Sequence, residues 1–287
     1  MSNSFFKFKQ FIVDHSDCAM KVGTDGVLIG AWCYKDCRAD NEKANITSDV
    51  CKELKFENAM FNVLDIGTGS GLISLMIAQR FENAKIDAVE IDLDAFSCAK
   101  NNFFNSPWKE RLNVINSSIE DFIPINNSSQ NGNIDILEAA CAELNNKSGS
   151  REQKKYDLIV SNPPYFENSL KSDCNKRTKA RHTDSLSYET LIRKSASLLA
   201  SQGILSLIYP YEADGKIEAL CKENLLFCKR KSFVKGNPNS PIKRVLAEFS
   251  FSDSEFVLIS DTFSIEIERQ HYTNEYISLT KDFYLKM

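Results

Sequence analysis

The segment FNVLDIGTGSGLISLMIAQRF, from Phe61 to Phe81, restricts the fold more than any other stretch of the chain. Six residues with a buried-strand pattern, FNVLDI, lead into Gly67, Gly69 and Gly71, and an apolar-periodic helix is predicted over 72–81. Glycines at a strand-to-helix turn let backbone amides approach a ligand closely, and the helix N-terminus adds partial positive charge. Glu90 closes the next predicted strand, IDAVE (86–90), about 20 residues beyond the glycines, where an acid can accept hydrogen bonds from two ribose hydroxyls. That order of strand, loop, helix, strand and acid predicts a site for a nucleoside-containing cofactor.

The rhythm continues. A helix capped by Asp94 is expected to about residue 105, then strands over 112–116 and 156–161, a helix over 187–200 and a strand over 204–208. Such alternation implies a parallel sheet covered by helices on both faces. A helix over 213–225 and two antiparallel strands near 230–234 and 245–251 follow, with Gly236-Asn237-Pro238-Asn239 between the strands. The expected class is α/β, a doubly wound Rossmann-like sheet, mostly parallel with a C-terminal antiparallel strand pair. A single domain is expected over 1–287, with a pre-sheet segment over about 1–60. The stretches 35–58 and 126–153, rich in Asn, Ser, Glu and Lys, read as surface insertions.

The cofactor is narrowed by spacing and charge. Dinucleotide sites favour G-x-G-x-x-G, whereas the pattern here is G-x-G-x-G preceded closely by Asp65. An acid there repels a pyrophosphate and suits the ammonium and sulfonium of S-adenosylmethionine. That cofactor is expected in preference to NAD, with S-adenosylhomocysteine as its product.

The stretch IVSNPPYF (159–166) ends a predicted buried strand with two consecutive prolines. Neither proline donates a ladder hydrogen bond, and each restricts the residue before it. In an open doubly wound sheet, the strands ending at Ile66 and Ser161 are adjacent, and ligands bind beyond their carboxyl ends. Asn162, Pro163, Pro164 and Tyr165 are thereby expected beside the glycine loop. A planar amino group is a poor nucleophile because its lone pair is delocalised. Two acceptors on its hydrogens, the Asn162 side-chain carbonyl and the Pro163 backbone carbonyl, favour a pyramidal nitrogen and stabilise the charge that develops on attack. The Tyr165 ring offers a face on which a base can stack.

At these residues the chain resembles the class I S-adenosylmethionine-dependent methyltransferases that use N-P-P-Y to methylate planar amino groups. The stretches FKFKQFIVDHSDCAMKVGTDGVLIGAW (6–32), ARHTDSLSYETLI (180–192), PIKRVLAEF (241–249) and YISLTKDFYLKM (276–287) resemble the bacterial tRNA1(Val) adenine-37 N(6)-methyltransferases. The resemblance implies methylation of the 6-amino group of the adenine next to the anticodon. It implies that Asp65, Gly67 and Gly69 hold the methionine part of the cofactor, with Gly71 also at the cofactor, Glu90 its ribose, and Asn162 to Tyr165 the target adenine. Lys21, Thr24 and Asp25 lie on a segment that similar enzymes fold over the cofactor, with helix capping by Thr24 or Asp25 as the competing role. Many relatives carry an acid after the third strand to meet the cofactor's adenine; here Ser118 stands there, with Asp121 further on, and either is a candidate.

Charge and composition set the remaining expectations. The net charge is −4, so nucleic-acid binding requires local basic density. Lys171, Arg177, Lys179 and Arg181 supply it directly after the proline turn, on the path a nucleic-acid substrate would take, with a solvated face as the competing reading; His182 could stack or bond a phosphate there, or be a satisfied loop histidine. Lys229, Arg230, Lys231, Lys235, Lys243 and Arg244 form a second basic region, read equally as RNA contact, through Lys243 and Arg244, or as a solvated edge. Nine cysteines without a C-x-x-C pair and three histidines suit reduced buried thiols and give no metal pattern. No apolar run reaches the roughly 18–20 residues of a membrane span, and the opening MSNSFFKFKQF has no uninterrupted apolar core, so a cytoplasmic location is expected. A monomer is favoured. The rival activities are methylation of a glutamine amide in release factors or of guanine in ribosomal RNA; the rival of another class is a catalytically silent RNA-binding module.

Overall fold

The structure is a computed structural model and describes residues 4–16, 18, 21–34, 60–124, 153–164, 186–251 and 259–287. A short hairpin, β1 (Phe5–Lys7) and β2 (Ile12–Asp14), and helix α1 (Thr24–Trp32) precede the main sheet. The sheet begins with β3 (Phe61–Ile66), α2 (Leu72–Arg80), β4 (Ala84–Glu90), α3 (Leu93–Phe104) and β5 (Leu112–Asn116). It continues through β6 (Tyr156–Ser161), α4 (Tyr188–Leu198), β7 (Leu199–Pro210), α5 (Asp214–Glu223), β8 (Phe227–Lys235) and β9 (Ile242–Ser250). The chain ends with β10 (Ile259–Ser264), the pair β11 (Glu266–Glu268) and β12 (His271–Tyr272), and α6 (Asn274–Thr280). The predicted insertions over 35–58 and 126–153 lie outside the described residues, apart from Gln153 at the end of the second.

The eight-stranded sheet runs in the order β10-β8-β9-β7-β6-β3-β4-β5. It is parallel from β5 to β7, and β8 and β9 form the antiparallel pair that the sequence predicts, with β9 also antiparallel to β7. β10 was not expected from the sequence; it adds a parallel edge beside β8. Along β3 and β6 the side chains divide by parity. Leu64, Ile66 and Ile159 enter the cluster under α4 and α5, while Val63, Leu158 and Val160 enter the one under α1 and α2. Both faces are apolar because both are covered, which is the condition for a parallel sheet.

Local chemistry sets the helix starts. Asp92, and not the predicted Asp94, caps α3: the chain is still extended at Asp92, and its carboxylate accepts the Ala95 N–H at 2.8 Å. Ser187 caps α4 in the same way through Thr190 N–H. Helix α1 packs onto α2 through glycines: a Cβ on Gly30 would meet Met76 Sδ at 2.8 Å, and one on Gly26 would meet Leu72 at 3.0 Å. Those absences let α1 lie close to the helix that follows the glycine loop, burying Leu28, Ile29, Leu72, Ile73 and Met76, each worth about 1.5–3 kcal/mol. Gly30→Ala forces Met76 aside and undoes that fit.

The far end of α1 is tied to the C-terminal strands. Arg80 donates to the Gly30 and Cys33 carbonyls, and the buried Glu248 accepts the Tyr34 N–H at 2.6 Å. The Arg230 guanidinium stacks over the Trp32 ring at 3.7 Å while pairing with Glu248. Among the described residues no helix is long and apolar enough to cross a membrane.

Candidate active site

The glycine loop is shaped by its own hydrogen bonds. Gly67, Gly69 and Gly71 all have left-handed φ, at 72°, 58° and 83°. A Cβ on Gly67 or Gly69 would meet nothing within 4 Å among the described residues, so the loop is open on that side; one on Gly71 would meet Phe103 at 2.5 Å, so that glycine serves packing against α3. The Gly67 and Thr68 N–H groups donate to Val89 O, Gly69 N–H to Glu90 Oε2 at 2.8 Å, and Gly71 N–H to Thr68 O. The expectation that these amides face a ligand is therefore corrected. A pyrophosphate needs such donors, and here four of them are committed to protein acceptors.

Beneath the loop lies Asp65, fully buried at the end of β3. Its Oδ2 accepts the Thr68 hydroxyl at 2.6 Å and the Ser74 hydroxyl at 2.7 Å, while Oδ1 is buried without a hydrogen-bond partner among the described residues. Burial raises its carboxyl to about 6 despite those two hydroxyls, and the nearby Glu90 charge adds to the rise. Glu90 ends β4 and also accepts the Asp92 N–H on Oε1 at 3.0 Å. Each of its oxygens holds one backbone donor and has capacity for another. Ile91, next to it, is exposed.

The Asn-Pro-Pro turn begins at the adjacent strand end. Ser161 is registered with Ile66, and its hydroxyl donates to Ile66 O at 2.8 Å. Asn162 thus leaves β6 in the row from which Gly67 leaves β3, with Asn162 half-buried and Pro163 buried. Tyr165, Lys171, Arg177, Lys179, Arg181 and His182 lie outside the described residues.

Other predicted residues are drawn into different roles. Helix α1 is capped by Gly23 without a side-chain bond, so neither Thr24 nor Asp25 caps it; Lys21 and Thr24 are exposed. Asp25 accepts Arg244 Nε at 2.8 Å, which joins a residue expected at the cofactor to one expected on RNA. The second basic region is largely spent internally: Arg230 on Glu248, and the buried Lys231 on Asp214 and Glu218 at 2.8 and 2.5 Å. Lys243 remains exposed. Ser118 donates to Asp121 Oδ2 at 2.6 Å and accepts the Asp121 N–H, closing a turn after β5. Among the described residues no group of three His, Cys, Asp or Glu side chains gathers to hold a metal. Thr68, Ser74 and Ser161 were missed from sequence. Hydroxyl residues are too common in loops to stand out, and only their contacts reveal them.

A glycine loop over a buried acid, with a second acid ending the next strand, lies beyond the carboxyl ends of a mostly parallel sheet, the architecture of the Rossmann-like methyltransferases. The fold agrees: the crystal structure of a predicted O-methyltransferase, protein Atu636 from Agrobacterium tumefaciens, superposes with a TM-score of 0.57 at 16% identity, covering 90% of this chain and 96% of that one. A model described as the Eco57I restriction-modification methylase matches residues 84–216. Proteins named tRNA1(Val) (adenine(37)-N6)-methyltransferase from Christiangramia forsetii (38% identical over 100% of both chains) and Parabacteroides distasonis (39%, likewise 100% of both) are similar along their whole length. The namesake from Trichodesmium erythraeum is 41% identical over the same full extent. The chain belongs to this tRNA1(Val) (adenine(37)-N6)-methyltransferase family.

Proposed function

We propose that this chain transfers a methyl group from S-adenosylmethionine to the 6-amino group of adenine 37 in tRNA1(Val). The observation that carries the reading is the Ser161–Ile66 hydrogen bond, which sets the Asn-Pro-Pro turn one residue from the glycine loop. S-adenosylmethionine supplies an electrophilic methyl on a sulfonium. The open face at Gly67 and Gly69, the buried Asp65 and the clamped Glu90 fit a ligand that carries positive charge at one end and ribose hydroxyls at the other. Asp65 sets a negative potential under the loop and fixes its shape through Thr68 and Ser74. Glu90 holds the loop through Gly69 and offers its remaining acceptor capacity to the ribose.

Asn162 and Pro163 present two carbonyls to the amino group, and the proline ring limits the turn's freedom so that the acceptors are in place before attack. No strong base is required, since the amino proton leaves after transfer. Tyr165 supplies the stacking face and Lys171 to His182 the phosphate contacts. A tRNA substrate places the enzyme in the cytoplasm.

The test is nucleoside mass spectrometry of valine tRNA from cells lacking the gene, alongside transfer of labelled methyl to purified tRNA and to release factor. Loss of 6-methyladenosine at position 37, restored by the protein, is expected. An unchanged nucleoside with labelled release factor replaces this reading with glutamine methylation.

A further inference from the structure

Asn102 lies near the end of α3 with only 4% of its surface exposed, and none of the expected site residues includes it. Its amide is fully used. Oδ1 accepts the Asp14 N–H at 2.9 Å, and Nδ2 donates to Asp14 O at 2.8 Å and to Ser70 O at 2.9 Å. The two bonds to Asp14 reproduce what a neighbouring strand would give, so the side chain acts as a strand partner at the end of β2. The third reaches the glycine loop, because Ser70 stands between Gly69, held by Glu90, and Gly71, with its left-handed φ. One buried side chain therefore joins the loop under the cofactor site to the segment leading toward Lys21 and α1. An apolar residue there would strip the Asp14 N–H and C=O, both part-buried, and the buried Ser70 C=O of these partners.

We propose that Asn102 is a positioning residue for the cofactor: it holds the glycine loop and the pre-sheet segment in one relative geometry before S-adenosylmethionine binds. This rests on the reading of the loop as an S-adenosylmethionine site. A site assembled in advance does not spend binding free energy on ordering its parts. Occupancy of the loop and protection of the Asp14 backbone are consequently linked. Binding that steadies Ser70 also steadies Asp14.

The experiment uses the full chain and S-adenosylmethionine as probe. Calorimetry on the unsubstituted protein comes first, since absence of binding there defeats the cofactor reading itself. Asn102→Ala is expected to weaken S-adenosylmethionine binding about 10- to 100-fold, the loss that follows from stranding buried polar groups, with tRNA binding in its absence changed less than twofold. Hydrogen exchange on the unsubstituted chain is expected to slow at the Asp14 amide about tenfold or more when S-adenosylmethionine is added. A folded Asn102→Ala protein that binds the cofactor as the original does would overturn the role. Where that variant does not fold, exchange decides: an Asp14 amide indifferent to the cofactor shows Asn102 to be scaffold alone.

Discussion

Two buried ionisable side chains, Lys231 on β8 and Asp65 on β3, are satisfied in different ways. Lys231, on β8, is buried against Asp214 and Glu218, with Tyr209 donating to the same Asp214 at 3.0 Å. Asp65, under the glycine loop, has two hydroxyls on one oxygen and, among the described residues, no hydrogen-bond partner on the other. The first arrangement is complete in itself and leaves little for a ligand to satisfy. The second keeps a buried carboxylate oxygen without a hydrogen bond among the described residues, directly beneath the open side of the glycine loop. A buried charge that is already paired reports on the scaffold, whereas one left wanting marks where something positive is to be received.

If that contrast holds, changes near β8 alter stability without touching chemistry, and changes near the loop do the reverse. The largest effect is expected from Lys231→Met, which strands Asp214 and Glu218. Stability falls by about 3 kcal/mol, near the lower end for a broken buried pair because Glu218 stays half exposed. Denaturant unfolding measures it, and S-adenosylmethionine affinity is expected to stay the same. A loss of cofactor binding at constant stability would erase the distinction. Next comes Asn162→Ala, which lowers kcat about 100-fold by removing one of two acceptors at the developing charge. Its melting temperature and cofactor affinity are unchanged; comparable turnover would reduce the turn to a strand terminator.

Asp65 sharpens the comparison through pH. Its folded carboxyl, raised to about 6, binds a proton between about pH 4 and 6 where the unfolded chain has already released one. Its contribution to stability is therefore greatest at low pH and declines as pH rises through 6. A cation favours the ionised form, so S-adenosylmethionine affinity rises over the same interval. Asp65→Asn is expected to flatten that rise and weaken binding about tenfold at pH 8, equivalent to one pKa unit of coupling, without lowering the melting temperature. Titration calorimetry from pH 5 to 8 checks both statements.

The smallest expected effect belongs to Arg244, part-exposed against Asp25. A double-mutant cycle of Arg244→Gln and Asp25→Asn should give a coupling of about 0.2–1 kcal/mol, as exposed pairs do. Weaker, salt-sensitive tRNA binding in Arg244→Gln alone would return this residue to the RNA surface that the basic run suggests.

Much of the site was legible because its signals are local. The glycines at 67, 69 and 71 and the prolines at 163 and 164 restrict their own backbone, and the acid at 90 ends its own strand. The small hairpin β1–β2 and the edge strand β10 were not legible. Three-residue strands and a strand following an unpredicted connection carry too little periodicity to declare themselves. The basic region misled for a different reason. A count of lysines and arginines cannot say that Arg230 lies over Trp32 or that Lys231 faces Asp214, since the partners are far away in sequence.

By itself the amino-acid order determined the alternating α/β plan, the position of the glycine loop and the stiff turn after β6, because propensity, glycine conformation and proline geometry act within a few residues. Only the tertiary structure decided which charges are spent and which remain. It paired Asp25 with Arg244 and Asn102 with Asp14 and Ser70, and it left Asp65 short of a partner. Hydrogen bonds and ion pairs depend on where distant segments meet, and in a folded chain that is set by packing of the whole sheet.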